Sequence, residues 1–194
     1  MAAAASPPDS PDEKARYLSL KLQAFDISSL LLESYGLQAL FYPELRLLRR
    51  IPKMLSLLLR SLHPALFTHM QRYGLSAEMV TIPWFQTCFV YVPNITVGAV
   101  NAILDIFIVE RSYKILFRVG LAIFKVSEAR LLSMDLEGMM EYFSSLPGGS
   151  GGWLEPEALL KLALGIKVTR TILLRLEEEV IAAEDGRGAG GDQH

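Results

Sequence analysis

Residues 82–125 read IPWFQTCFVYVPNITVGAVNAILDIFIVERSYKILFRVGLAIFK, and the fold turns on how this stretch is read. Two hydrophobic segments are split by Val92-Pro93-Asn94, Asp105 follows inside an apolar run, and a third segment ends in Ala122-Ile123-Phe124. After Pro93 the residues Val97, Val100, Ile103, Leu104, Phe107 and Ile108 recur at helical spacing, which predicts one helix there and a second over residues 113–122. Trp84, Phe85 and Phe89 are expected in the core, where large aromatics in such runs usually lie. Cys88, the one cysteine, reads as a small buried hydrophobe.

Toward the N-terminus, Ser76-Ala77-Glu78 marks a helix start, with Pro83 placed early in that helix, where a missing N–H is best tolerated. Pro64 opens another helix that closes at Gly74. His63 and His69 have no partner set at metal-ligand or triad spacing and are assigned structural roles. Residues 44–62 carry Leu45, Leu48, Met54, Leu55, Leu58, Leu59 and Leu62, and Pro52 is expected to divide them into a short helix and a longer one. The basic residues Arg46, Arg49, Arg50, Lys53 and Arg60 form a solvated face, with an acidic-partner or lipid-headgroup patch as the alternative. In residues 16–34 the apolar positions, among them Tyr17, Leu20, Phe25 and Ile27, predict a buried helix stopped by Gly36, with Phe25 and Leu32 on one face. Residues 1–13 read as a disordered leader.

Toward the C-terminus, residues 134–143 form a short helix ended by Leu146-Pro147. Gly148-Gly149-Ser150-Gly151-Gly152 is a hinge and no phosphate cradle, because Trp153-Leu154-Glu155 stands where Gly-Lys-Ser/Thr would be needed. Residues 156–183 are periodic, with Leu159, Leu162, Ile166, Thr169, Leu173, Leu176 and Val180 in steps of three and four. One amphipathic helix is expected, either packing back onto the domain or self-associating. No stretch alternates with the period of a strand, so the fold class is all-α, a multi-helix partial domain over residues 14–147 with an extra C-terminal helix over 153–185 and a disordered tail over 186–194.

At 194 residues the chain can bury a real core. Its net charge of −2 gives no reason to expect a nucleic-acid partner, and a single cysteine excludes an internal disulfide. Hydrophobic residues make up 51% and mean hydropathy is +0.29, an excess that asks for an explanation. Residues 79–104 carry no charge and are long enough to span a bilayer, but Pro83, Gln86, Pro93, Asn94 and Asn101 interrupt them, and a spanning helix is not expected. The N-terminus has no secretory signal pattern, which leaves the cytoplasm as the expected compartment.

The order Ile-Pro-Trp-Phe, a Phe four residues on at Phe89, the restart at Pro93, Asp105-Ile106-Phe107, and Leu116-Phe117-Arg118-Val119-Gly120-Leu121-Ala122-Ile123 resembles the C-terminal half of the TBC domain. Gln23-Ala24-Phe25 with Leu31-Leu32-Glu33-Ser34-Tyr35, Pro64-Ala65-Leu66 before His69, and residues 131–147 extend the resemblance. In that pattern Asp105 is a buried or half-buried carboxylate with Arg118 as its nearest cation. The chain departs from it at Ala102 and Leu104, where the family usually has Arg and Trp, and at Arg111, where it usually has Gly.

TBC proteins are GTPase-activating proteins of Rab-type small GTPases, so the resemblance implies such a GTPase as partner, no cofactor, and a location that is cytoplasmic or peripheral on membranes through that partner. The family inserts an Arg from Ile-x-x-Asp-x-x-Arg and a Gln from Tyr-x-Gln into the nucleotide site, and an arginine finger is worth roughly 10³–10⁵ in rate. None of Asp9, Asp12, Asp26, Asp105, Asp135 and Asp185 is followed three residues later by Arg. None of Tyr17, Tyr35, Tyr42, Tyr73, Tyr91, Tyr113 and Tyr142 is followed two residues later by Gln. No residue is therefore assigned a catalytic role, and the expectation is a Rab-binding or regulatory module of the family. The alternative is a non-catalytic interaction protein that self-associates or completes its fold with a partner, since an incomplete helical domain leaves apolar faces uncovered.

Overall fold

In a computed structural model of the chain the described residues are 10–34, 46–147 and 152–188, and they form nine α-helices and no strand. The leader before Ser10, Gly36, Leu45, most of the Gly/Ser hinge and the last six residues lie outside them. The chain divides into two compact units, Met1–Tyr42 and Pro43–His194.

The first unit holds α1 (Pro11–Ser34). It starts a little earlier than expected, for a reason written in Ser10-Pro11-Asp12-Glu13. The Glu13 N–H donates to the Ser10 hydroxyl at 3.1 Å while the Ser10 N–H donates to the Glu13 carboxylate at 3.3 Å, a capping box with Pro at the first helical position. The buried helix expected here is not what forms. Leu18, Leu22 and Phe25 are exposed, and the apolar positions fall all round the helix instead of along one stripe.

The second unit is built around α6 (Lys114–Leu131), whose Ile115, Phe117, Leu121, Phe124 and Leu131 are all buried. Against it pack α2 (Arg46–Leu62), α4 (Ala77–Gln86), α5 (Val97–Glu110), α7 (Leu136–Ser144) and α8 (Pro156–Leu164). Helix α3 (Pro64–Arg72) adds to the α2 side and ends at Gly74, whose φ of +75° the missing Cβ permits. Side chains pack directly onto two glycines: a Cβ on Gly98 would lie a tight 3.1 Å from the Pro156 ring of α8, and one on Gly120 would only touch the Leu55 side chain of α2, at 3.4 Å.

Helix α2 runs unbroken through Pro52, against expectation. Breaking a helix at proline is worth ~3 kcal/mol. The residues Leu48, Ile51, Leu55, Leu58 and Leu59 fall on one buried stripe, each contributing about 1.5–3 kcal/mol on burial, so packing outweighs the lost bond. Pro83 likewise sits in the second half of α4, not its first turn.

The periodic C-terminal stretch forms two helices rather than one. Helix α8 ends at Leu164, Gly165 caps it, and α9 (Arg170–Gly188) restarts where the Thr169 hydroxyl accepts from the Ile172 N–H at 3.2 Å. The turn between them is buried at Ile166 and Val168. The heptad stripe is used within the chain: Leu159, Ile166, Leu173 and Val180 are buried, with α8 against α5 and α6 and α9 against α2.

Candidate partner-binding surface

An aromatic cluster fixes the geometry of the most distinctive surface. Trp84 lies 5.7 Å from Phe124 and 6.0 Å from Phe143, and Phe85 lies 5.5 Å from Phe117, so α4, α6 and α7 share one core of rings. Trp84, Phe85 and Phe89 are buried, as expected.

Beyond α4 the chain enters an unusual turn. Cys88 and Phe89 both adopt left-handed backbone, φ +47° and +69°, which costs roughly 1–2 kcal/mol for each non-glycine residue. The turn is held by the ring of Phe89, buried 5.9 Å from Phe85, and by Thr87, whose hydroxyl donates to the Pro83 carbonyl at 2.7 Å and accepts from the Tyr91 N–H at 3.2 Å. Asn94, φ +60°, donates its amide to the Leu146 carbonyl at 2.7 Å and fastens the far end of the turn to the end of α7. The consequence is a fixed loop that presents Val90 and Tyr91 outward, Tyr91 at 76% exposure.

Tyr91 and Pro93 form one bank of a groove, Met79 and Pro83 of α4 another, and Met140 of α7 faces them over Phe143. Past Met140 and Ser144 the groove continues into a shallow cleft between Tyr73 and the outer face of α7, lined by Asp135, Leu136, Glu137 and Glu141. Asp135 is the N-cap of α7, its Oδ1 accepting from the Gly138 N–H at 3.0 Å. Met79 and Tyr91 lie in the uncharged run over residues 79–104, which reads as core, and Met140, between Glu137 and Glu141, carries no pattern signal of its own. The available signal was Val90-Tyr91 immediately before Val92-Pro93-Asn94: large apolar residues inside a turn have no neighbouring turn of helix to cover them.

The other residues singled out by sequence serve the scaffold. Asp105 is exposed on α5, so it needs no buried cation, and Arg118 is engaged elsewhere: its Nη2 donates to the Val168 carbonyl at 3.0 Å, while its buried Nε has no partner among the described residues. That bond clamps the turn between α8 and α9 onto α6. His63 Nδ1 lies 2.8 Å from Glu128 and His69 Nε2 2.8 Å from the Met134 carbonyl, both tying the α3 region to α6 and the turn after it. Of the basic cluster on α2, Arg50 and Lys53 pair with Glu184 of α9 at 3.0 and 2.7 Å, and Arg49 and Arg60 are exposed. The hydrogen bond from Lys53, seconded by that from Arg50, holds the Glu184 carboxyl below its ordinary value against an opposing contribution from burial. Burial raises the Cys88 thiol, and it pushes Tyr113 up to about 12, with Cys88 and Glu177 acting in the same direction. Both stay protonated at neutral pH.

Among the described residues no three potential metal ligands converge, and no helix is long and apolar enough to cross a membrane. The surface is suited to binding: rigid, apolar at its centre and acidic at one end.

The model of the Rab-GTPase-TBC domain matches residues 13–132. Similar proteins include the ecotropic viral integration site 5 protein of Mus musculus, 30% identical over 81% of this chain and 19% of its own length, and the Rab GTPase-activating protein eat-17 of Caenorhabditis elegans, 31% identical over 62% of this chain and 13% of its own. TBC1 domain family member 4 of Mus musculus is 26% identical over 63% of this chain and 9% of its own. The chain thus spans less than a fifth of the length of each. With the domain model covering more than half of the residues and the helices all α, the chain belongs to the Rab-GTPase-TBC domain family.

Proposed function

We propose that the chain is a binding or regulatory module for a Rab-type small GTPase, acting in the cytoplasm or on membranes through that GTPase, in vesicle trafficking, and without intrinsic finger chemistry. The observation that carries the reading is the pairing of the domain match over residues 13–132 with a sequence in which neither Ile-x-x-Asp-x-x-Arg nor Tyr-x-Gln occurs. Hydrolysis by the family's route needs a cation on the phosphate being transferred and an amide to position the water. Within the matched region Arg50 and Arg118 are engaged by Glu184 and by the Val168 carbonyl. What remains is recognition, for which rigid helices with exposed Tyr and Met side chains are suitable.

The test is binding of the purified chain to a panel of Rab-type GTPases loaded with GDP or with a non-hydrolysable GTP analogue, followed by single-turnover hydrolysis at saturating chain. The expected result is preference for the GTP-like state of one or a few members with hydrolysis at the intrinsic rate. Absence of binding by the folded chain refutes the first half of the reading, and acceleration by tenfold or more refutes the second.

A further inference from the structure

We propose that the groove between α4, the 87–96 turn and α7 is a docking site for a basic amphipathic helix of a partner protein. Three observations converge on that occupant. The centre of the groove is apolar and exposed, with Met79 at 62%, Tyr91 at 76% and Met140 at 51%. Methionine side chains adapt to differently shaped apolar faces, and a tyrosine on a fixed loop supplies a low-entropy anchor. The groove continues into a cleft whose lining includes Asp135, Glu137 and Glu141 and no lysine or arginine.

The charges decide the sign of the partner. Glu137 and Glu141 are four residues apart on one exposed face of α7, and neither has an ion-pair partner among the described residues. Two unneutralised carboxylates beside an apolar trough repel an acidic segment and favour lysines or arginines flanking apolar anchors. The shape decides the conformation. Among the described residues no strand offers an edge for main-chain pairing, so an incoming segment is held by its side chains, as an amphipathic helix laid into a groove is. The walls are already in place: Thr87 and Asn94 bind the turn to α4 and to the end of α7, so little ordering accompanies docking.

The experiment uses the full chain with labelled methionine methyls, the Met79 and Met140 signals assigned from Met79→Leu and Met140→Leu. The probe is a short synthetic Leu/Lys helix with leucines at i, i+3, i+4 and i+7, compared with the same peptide carrying Glu for Lys. The expected result is that the Leu/Lys peptide shifts both signals, that the Leu/Glu peptide shifts neither, and that Glu137→Gln with Glu141→Lys weakens binding at least about tenfold. Both carboxylates are exposed, so this variant folds, and Tyr91→Ala supplies an independent weakening at the opposite bank. Equal binding of the two peptides, or indifference to the charge change, overturns the proposal. Shifts that follow chain concentration without peptide assign the groove to a second copy, and contacts from either methyl to residues 1–45 assign it to the chain's own N-terminal segment; each also overturns it. Because no GTPase is present, the outcome is independent of the GTPase-binding reading.

Discussion

Arg118 separates what the family pattern implies from what the packing does. If Arg118 neutralised a buried Asp105, removing either partner would strand a charge and cost about 3–5 kcal/mol. In the structure Asp105 is exposed and Arg118 donates to the Val168 carbonyl at 3.0 Å. Asp105→Ala is therefore expected to change stability by less than ~0.5 kcal/mol, as exposed substitutions do. Arg118→Met keeps most of the aliphatic stem but deletes a charge-assisted bond worth ~1.5–3 kcal/mol. It also removes the buried, unpartnered Nε, which returns part of a desolvation cost of similar size, so the net loss is expected near 1 kcal/mol. That corresponds to about 2–4 °C in Tm for a domain of this size. The assay is urea unfolding followed by tryptophan fluorescence, since Trp84 is buried in the core and Trp153 is half-buried, both in the unit that Arg118 belongs to. The double variant closes the cycle, and sites without a shared partner add to within ~0.3–0.5 kcal/mol. A coupling energy above ~1 kcal/mol, or an Asp105→Ala loss as large as that of Arg118→Met, would refute the assignment.

Tyr142 donates to the Ser127 hydroxyl at 3.0 Å with both residues buried, so Ser127→Ala, which strands the phenol, is expected to cost ~1–2 kcal/mol, and adding Tyr142→Phe to recover much of it in the same unfolding assay. Glu184 binds fewer protons folded than unfolded, so its ion pairs with Arg50 and Lys53 stabilise fully above the ordinary value of 4.5 and are lost as pH falls through the lowered folded value. Glu184→Gln should cost ~0.2–1 kcal/mol at neutral pH and low salt, and nothing below that window; a difference independent of pH would contradict the pairing. The Cys88 thiol, raised by burial, should react with a disulfide reagent at pH 8 at least about tenfold more slowly than in the urea-unfolded chain, and equal rates would place it at the surface. A chain ending at Pro147 should fail to unfold cooperatively, because it loses Leu154, Leu159, Ile166, Val168, Leu173 and Val180 from the core, each worth about 1.5–3 kcal/mol against a total stability of ~5–15.

Punctuation and aromatic order were legible because their causes are local. Pro64 and Gly74 bound α3, Ser76 caps α4 with its hydroxyl accepting from the Met79 N–H, and Pro93 precedes the restart of α5 at the Thr96 cap. A departure from the family pattern also has a local meaning: Arg111 caps α5 with φ +46°, the conformation for which the family's glycine is suited. What failed were features decided by distant neighbours. Nothing near Pro52 says that α4, α6 and α9 will cover its helix. Asp105 and Arg118 share a pattern, yet Val168, fifty residues further on, claims the guanidinium. The groove was invisible for the same reason: Met79, Tyr91 and Met140 come from two helices and a turn, and their exposure depends on how those pack.

The C-terminal helices give the 51% apolar content a physical account that the domain match alone does not. The match ends at residue 132, but the core does not. Helices α5 and α6 turn apolar faces toward α8, and α2 turns one toward α9, so the heptad stripe that suggested a seam for a second copy is instead the cover of this chain's own helices. Gly165 and Thr169 make that possible by dividing the stripe, because a straight helix of that length could not follow first the α5–α6 face and then α2. Arg118 holds the division in place from the middle of α6, and Arg50 and Lys53 hold the far end through Glu184. Arg50, Lys53 and Arg118 are thereby committed to closing the fold, while Met79, Tyr91 and Met140 and the carboxylates of α7 remain exposed.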